Sequence, residues 1–332
     1  MTLMVHRIGP ACTVQDQGRI GYLDQGLSRS GAADILALQE GAALLGQNPD
    51  LAALEMAGMG GTFEATQRTR IALTGATMQA SIDGSQIVWN ASHVLEQGQT
   101  LTIGATVQGN YGYLHLEGGI EAELFLGSRA THLTAKIGRA VAVGAVLPAG
   151  KNAGDGGMQF SPPDRFNGGT LRVVASFQTA LFDDETLDRF AQTEFTRGTR
   201  ANRMGVQLES DGPGFAAKDQ LNILSEVITP GDIQMTGTGN PFILLPECQT
   251  TGGYPRIATV LPCDMPKAAQ TPAGGTVRFE FVTLEQAVEI DAAFRADLAR
   301  LPSRIEPLVR DPHDIPDLLS YQLIDGMISA TD

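Results

Sequence analysis

Between residues 54 and 147 apolar and polar positions alternate in short runs separated by turn residues. Ile71 with Leu73 marks one run and Ala80 with Ile82 a second. Ile87 with Trp89 marks a third, after Asp83-Gly84, a dipeptide suited to a tight hairpin turn. Leu101 and Ile103 follow Gln97-Gly98, and Tyr111 to Leu116 leads into Gly118-Gly119. A period of two places one side of each strand in a core, and repeated short strands predict a closed or nearly closed β-barrel. Ahead of them the period changes. Asp34 is placed to cap a helix whose stripe is Ile35, Leu38, Ala42 and Leu45, with Gly46 and Asn48-Pro49 stopping it.

The stretch from 148 to 169 holds Pro148, Gly150, Gly154, Pro162-Pro163 and Gly168-Gly169, which reads as a linker. We therefore expect an N-terminal β-barrel domain over 1–150, a linker over 151–169, a second β-barrel domain over 170–300 and an extension over 301–332. In the second half, Leu171 to Ala175 predicts a strand, and Asp183 or Asp184 a helix start leading through Leu187 and Phe190. Thr283 with Gln286 forms a capping-box pattern before a helix with Ala287, Ile290, Phe294, Leu298 and Leu301 on one face. A further short helix is expected from Pro316 to Asp325, covering its own barrel or docking on a partner.

Composition narrows the function. At 332 residues, with 42% apolar and 18% charged residues and 39 glycines, the chain suits a folded, turn-rich protein of two cores. Its formal charge of −14, from 23 Lys plus Arg against 37 Asp plus Glu, repels nucleic acid and anionic lipid. Cys12, Cys248 and Cys263 form neither a CxxC pair nor an even set, so the expected setting is a reducing cytoplasm. No signal-peptide pattern or membrane-length apolar window is present.

Familiar cofactor loops are missing. The chain has no GxxxxGK[ST] phosphate loop, and Gly58-Met59-Gly60-Gly61 lacks both its spacing and its lysine. The five histidines stand singly, so no metal site is expected. Chemistry concentrates instead in Gln249-Thr250-Thr251-Gly252-Gly253-Tyr254-Pro255-Arg256, between the apolar runs Phe242 to Leu245 and Ile257 to Leu261. Its N–H groups and hydroxyls can converge on a small polar ligand, although a Gly pair between strands equally suits a turn that needs positive φ. Cys248 beside it is a possible nucleophile without a histidine near it in sequence. Ionisable residues in other Gly-rich loops include Asp16, Arg19, Arg200, Arg203, Glu226 and Asp264, a set able to hold a carboxylate and move protons around an amide.

Several strings occur together in a recognisable order. They are Val14-Gln15-Asp16, Gly18-Arg19, Gly21-Tyr22, Ser30-Gly31 with Asp34, Asn202-Arg203-Met204-Gly205, Ser225-Glu226, Pro230-Gly231, Gln234 and Gln249 to Pro255. They resemble the biotin-dependent carboxyltransferase family, which includes allophanate hydrolase subunit 2 proteins and the C subunit of 5-oxoprolinases, over about residues 5 to 283. The resemblance implies a mainly β fold of two cyclophilin-like β-barrel domains with a few short helices. It implies work as the C subunit of an ATP-dependent 5-oxoprolinase, opening the 5-oxoproline lactam to glutamate. That work would need a B subunit, related to allophanate hydrolase subunit 1, together with an A subunit. The alternatives are carboxyl transfer from carboxybiotin to urea or a similar acceptor, with a biotin carboxylase and carrier, and a non-catalytic regulatory partner of the B subunit. ATP would act through the complex, and biotin would arrive on a separate carrier.

Site residues carried over by position are Gln15, Asp16, Arg19, Ser30, Asp34, Arg203, Gln249, Thr250, Thr251, Gly252, Gly253, Tyr254 and Asp264, and Arg256 adjoins them. In this reading Arg203 holds a carboxylate, the Gln249 to Gly253 loop orients a carbonyl, and Asp16 or Asp264 transfers protons. Val206, Cys248 and Ala273-Gly274-Gly275 depart from the family pattern.

Overall fold

Strands in the first half are longer and fewer than the alternation predicts. The computed structural model describes residues 2–151, 154, 157–217 and 224–309. In it the runs at 71–73 and 80–82 belong to one strand, Thr69–Ile82, and those at 101–103 and 111–116 to another, Thr100–Leu116. The two pair antiparallel from end to end, with register shifts between Gly75 and Ala80. Gly75 and Gly109 take positive φ, so these strands bend at bulges where the sequence suggests that they stop. At Gly75 a Cβ would also lie 2.5 Å from the Tyr111 carbonyl oxygen. The Asp83-Gly84 turn is where the sequence predicts it: both residues have positive φ and join Ile82 to Ser85, as a two-residue hairpin requires.

Among the described residues the strands form an 11-stranded antiparallel sheet, a closed seven-stranded barrel and a two-stranded ribbon. The barrel runs Gly169–Val174, Arg256–Val260, Asp232–Met235, Pro241–Leu244, Gly205–Glu209, Phe195–Asn202 and Thr276–Phe281 before returning to Gly169–Val174. Its closing pair is parallel, with Leu171 opposite Phe279.

Helices follow their local signals. Helix α1 (Ile35–Leu45) is capped by the Asp34 carboxylate on the Ala37 N–H and ended by Gly46 at φ 63°. Helix α2 (Asp184–Gln192) is capped by Asp183 and lays Phe190 against Phe279, with ring centroids 4.7 Å apart. Helix α3 (Met265–Gln270) follows Asp264. Helix α4 (Leu284–Ala299) carries the full Thr283/Gln286 capping box and sets Ala287, Ile290 and Phe294 against Leu261 and Cys263. The helix expected from Pro316 to Asp325 lies outside the described residues. No helix among the described residues is long and apolar enough to cross a membrane.

Sheet and barrel share a core. One continuous apolar cluster joins Ala33, Leu38, Tyr111 and Tyr113 to the barrel residues Leu171, Phe195, Ile233 and Phe279. Arg165, in the Gly/Pro-rich stretch, is buried at this junction and forms a fork with Glu40 at 2.7 Å on each arm, while its Nε donates to Asp34 at 2.7 Å. Gln270 of α3 donates to the same Asp34 oxygen and to the Tyr111 carbonyl.

Candidate functional site

Neither glycine of the Gln249 to Arg256 loop takes positive φ, so the pair is not there to supply a left-handed turn. Thr251–Gly252 forms a short strand against Glu226–Val227, and a Cβ on Gly252 would come within 2.6 Å of Gln234 Nε2. Gly252 thus answers to close packing. Gln249, Thr251, Gly253 and Tyr254 are exposed, whereas Arg256 is buried.

Gln249, Thr250 and Thr251 line a cleft of about 480 Å³ together with Ser28, His132 and Cys248. Ser28 Oγ lies 2.8 Å from His132 Nε2, and both residues are buried. The Ala135 N–H donates to His132 Nδ1 at 3.2 Å, which assigns a lone pair to Nδ1 and the ring proton to Nε2. His132 therefore donates to Ser28, and the Ser28 hydroxyl proton is left to donate into the cleft. Glu247 stands 3.7 Å from Nδ1 but accepts the Leu133 N–H at 3.1 Å, so it orients the 133–135 turn and does not hold an imidazolium. Burial pulls the His132 pKa below its ordinary value, and Glu247 opposes this. The geometry agrees: a neutral histidine fixes a serine hydroxyl as a donor.

The Cys248 thiol is pushed up to about 12, first by burial and then by Asp232. A thiolate is what nucleophilic chemistry needs, so this environment works against the sulfur as a nucleophile.

Behind the cleft, Arg203 is fully engaged. Its Nε donates to Glu247 at 2.6 Å, Nη1 to Glu55, and Nη2 to the Gly31 carbonyl at 2.6 Å and Ser30 Oγ at 3.3 Å. Glu55 also accepts from Tyr113 Oη at 2.7 Å and from the Ala33 N–H at 2.8 Å. Burial lowers the proton affinity of Arg203, but Glu55 and Glu247 outweigh it and hold the guanidinium above its usual value. Ser30, at φ 52°, donates to the Thr131 carbonyl at 2.7 Å, and Gln15 Nε2 reaches the same oxygen at 3.1 Å.

The remaining expected site residues divide among separate places. Asp16 accepts from Gly18 N, Ser128 Oγ and Arg129 N at 2.8, 2.6 and 2.6 Å, which folds the 16–18 turn onto the 125–132 segment. Arg19 reaches carbonyls of that same segment. Asp34 belongs to the Arg165 cluster. Asp264 is bound on both oxygens by Arg172, at 2.8 and 2.6 Å. Arg256 is held by Glu226 at 2.5 Å and by the Val227 carbonyl at 2.8 Å, and its own N–H donates to Gln178. Gln15, Asp16, Arg19, Ser30 and Arg203 thus gather around the 125–132 segment and its neighbours. Asp34, Asp264 and Arg256 sit in three other ionic clusters. Among the described residues no group of acidic, histidine or cysteine side chains is arranged to hold a metal ion.

Sequence reasoning does not single out Ser28, Glu55, His132 or Glu247. His132 stands alone in the chain, and its partners lie 104 and 115 residues away. Only Glu247 gives a signal, as a charge two residues after the apolar run Phe242 to Leu245.

Comparison with known proteins finds relatives of the whole chain. The profile of the family "carboxyltransferase domain, subdomain A and B" matches residues 25–281. The 5-oxoprolinase C subunit of Escherichia coli (strain K12) is 33% identical over 292 residues, covering 86% of this chain and 93% of that protein. That of Haemophilus influenzae is 32% identical over 286 residues, covering 84% and 90%. In fold alone, the chain is similar to the solved K. lactis urea amidolyase, with a TM-score of 0.81 at 23% identity, covering 94% of this chain and 21% of that one. The chain belongs to the carboxyltransferase domain family, subdomains A and B.

Proposed function

We propose that the chain serves as the C subunit of an ATP-dependent 5-oxoprolinase, contributing the Ser28 to Thr251 cleft to a lactam site that a B-type partner completes. The observation that carries this reading is 33% identity across 93% of a protein named as a 5-oxoprolinase C subunit. The cleft chemistry supports it. A lactam edge offers one carbonyl and one N–H, and the cleft wall offers the Ser28 hydroxyl as donor, the hydroxyls of Thr250 and Thr251, and the two-sided amide of Gln249. Arg203 braces the wall through Glu247 and the 133–135 turn, Asp16 folds the 16–18 turn onto the neighbouring 125–132 segment, and Asp264 and Arg256 hold the barrel. ATP enters through another component of the complex, since this chain has no phosphate loop.

In the same reading, residues 1–150 and 170–300 are two cyclophilin-like units with 151–169 between them, and the closed barrel beginning at Gly169 supports this for the second. The three cysteines are unpaired, which suits a reducing cytoplasm. Co-expression with the A and B partners tests the function: the complex should release glutamate from 5-oxoproline only with ATP. A folded, complete complex without turnover would overturn the reading.

A second reading is carboxyl transfer, favoured by the family's description as a carboxyltransferase domain, with biotin on a carrier as the donor. It predicts that streptavidin detects a biotinylated protein bound to this chain in a pull-down.

A further inference from the structure

Arg19 is 2% exposed. Its Nε donates to the Phe125 carbonyl at 3.1 Å and Nη2 reaches the Ser128 carbonyl at 3.4 Å, but Nη1 is buried without a partner in the protein. A buried N–H of a cation left unpaired costs on the order of 1 to 3 kcal/mol or more. Arg19 forms part of the wall of a second cleft, of about 510 Å³. Arg129, Lys136 and Arg139 line the same cleft. Among the described residues none of these three makes a salt bridge, and Arg129 uses one N–H on the Ala122 carbonyl. Two carboxylates oppose them. Glu123 is in the wall, and Asp16, whose charge acts on Arg19, accepts hydrogen bonds from Gly18 N, Ser128 Oγ and Arg129 N. Four cations against two anions reverse, in this cleft, the sign of a chain whose net charge is −14.

We propose that this cleft is an oxyanion site, taking the carboxylate or phosphate group of a small molecule, with Arg19 as its buried donor and Lys136 and Arg139 as its rim. A guanidinium whose Nη1 has no partner in the protein suits one oxygen of such a group, and two exposed cations at the rim suit the others. The volume falls in the range of small-molecule pockets, about 300 to 1,000 Å³, so the anion is carried on a larger body. The site adjoins the Ser28 cleft but shares no lining residue with it, and it does not depend on the reaction proposed there.

Titration calorimetry of the full chain alone, at low ionic strength, with inorganic phosphate, 5-oxoproline and glutamate tests the proposal. At least one should bind at one site per chain, and the source is identified by which does: phosphate alone, or the two carboxylates. Arg19→Gln should weaken binding about tenfold, the loss expected for one charge-assisted hydrogen bond. Should that variant fail to fold, the surface double variant Lys136→Ala/Arg139→Ala decides, with an expected weakening of about fivefold. No saturable heat with any of the three up to about 10 mM, or affinity unchanged in the double variant, would overturn it and leave a bridging water as the Arg19 partner. Because no turnover is measured, failure here is distinct from failure of the 5-oxoprolinase reading.

Discussion

Arg203 of the barrel and Glu55 of the sheet share a hydrogen bond across 148 residues of sequence, and neither is open to a ligand. Removing one member of a buried pair leaves an uncompensated charge, at a cost of about 3 to 5 kcal/mol. Arg203→Ala should therefore lower urea-unfolding stability by that amount. A variant of unchanged stability, with a raised KM for 5-oxoproline, would return Arg203 to holding the substrate carboxylate.

The assigned proton on His132 Nε2 leaves the Ser28 hydroxyl free to donate, in the proposed reading to the lactam. In the assembled complex, Ser28→Ala should raise KM for the lactam about tenfold or more, while Ser28→Thr retains the hydroxyl and most of the binding. Equal effects of the two substitutions would remove the hydroxyl from any part in binding.

Acid should destabilise the fold through His115. This ring is buried under α1, and its Nε2 lies 2.8 Å from Thr74 Oγ1. Because Thr74 donates its own proton to the Ala37 carbonyl, His115 must be the donor there. Burial lowers its pKa to about 3, against about 6.5 in an unfolded chain. Between these values the unfolded chain binds a proton that the native one does not, so stability falls as pH falls through this window. The slope from this residue is about 1 kcal/mol per pH unit. Urea unfolding of wild type and His115→Gln between pH 7 and pH 4 checks it: the variant should show the shallower pH dependence.

The same packing predicts that Gly41→Ala destabilises, although alanine favours helices by about 1 kcal/mol. A Cβ there would stand 2.3 Å from three atoms of the His115 ring. A melting temperature at or above wild type would mean that the ring can move aside.

Cys248→Ser should leave turnover of the complex within about threefold of wild type, because a thiol pushed to about 12 is not a nucleophile at pH 7. A loss beyond about a hundredfold would reinstate the sulfur.

Local signals in the sequence carry over into the structure. The Asp34 and Thr283 caps, the Gly46 stop and the Asp83-Gly84 turn each depend on residues within four positions of one another. The bends at Gly75 and Gly109 look like strand ends in sequence because a bulge and a turn use the same residues. The Gln249 to Thr251 stretch is legible as a polar loop, and it lines a cleft. Its companions Ser28 and His132 are not, since an isolated histidine acquires meaning only from what the fold sets beside it. Likewise the Arg203, Arg256 and Asp264 side chains look available in sequence and are paired in space.

Synthesis from the N-terminus gives the buried ionic clusters an order in time. Asp34, Glu40 and Glu55 leave the ribosome well before Arg165 and Arg203, which lie 131, 125 and 148 residues after their respective partners, and Gln270 follows Asp34 by 236. Until those cations arrive, the first half carries three carboxylates in positions where water is excluded once the core closes. Packed before those cations arrive, the three carboxylates would be buried uncompensated, so closing this part of the core is favourable only once the later half of the chain is present to pair them.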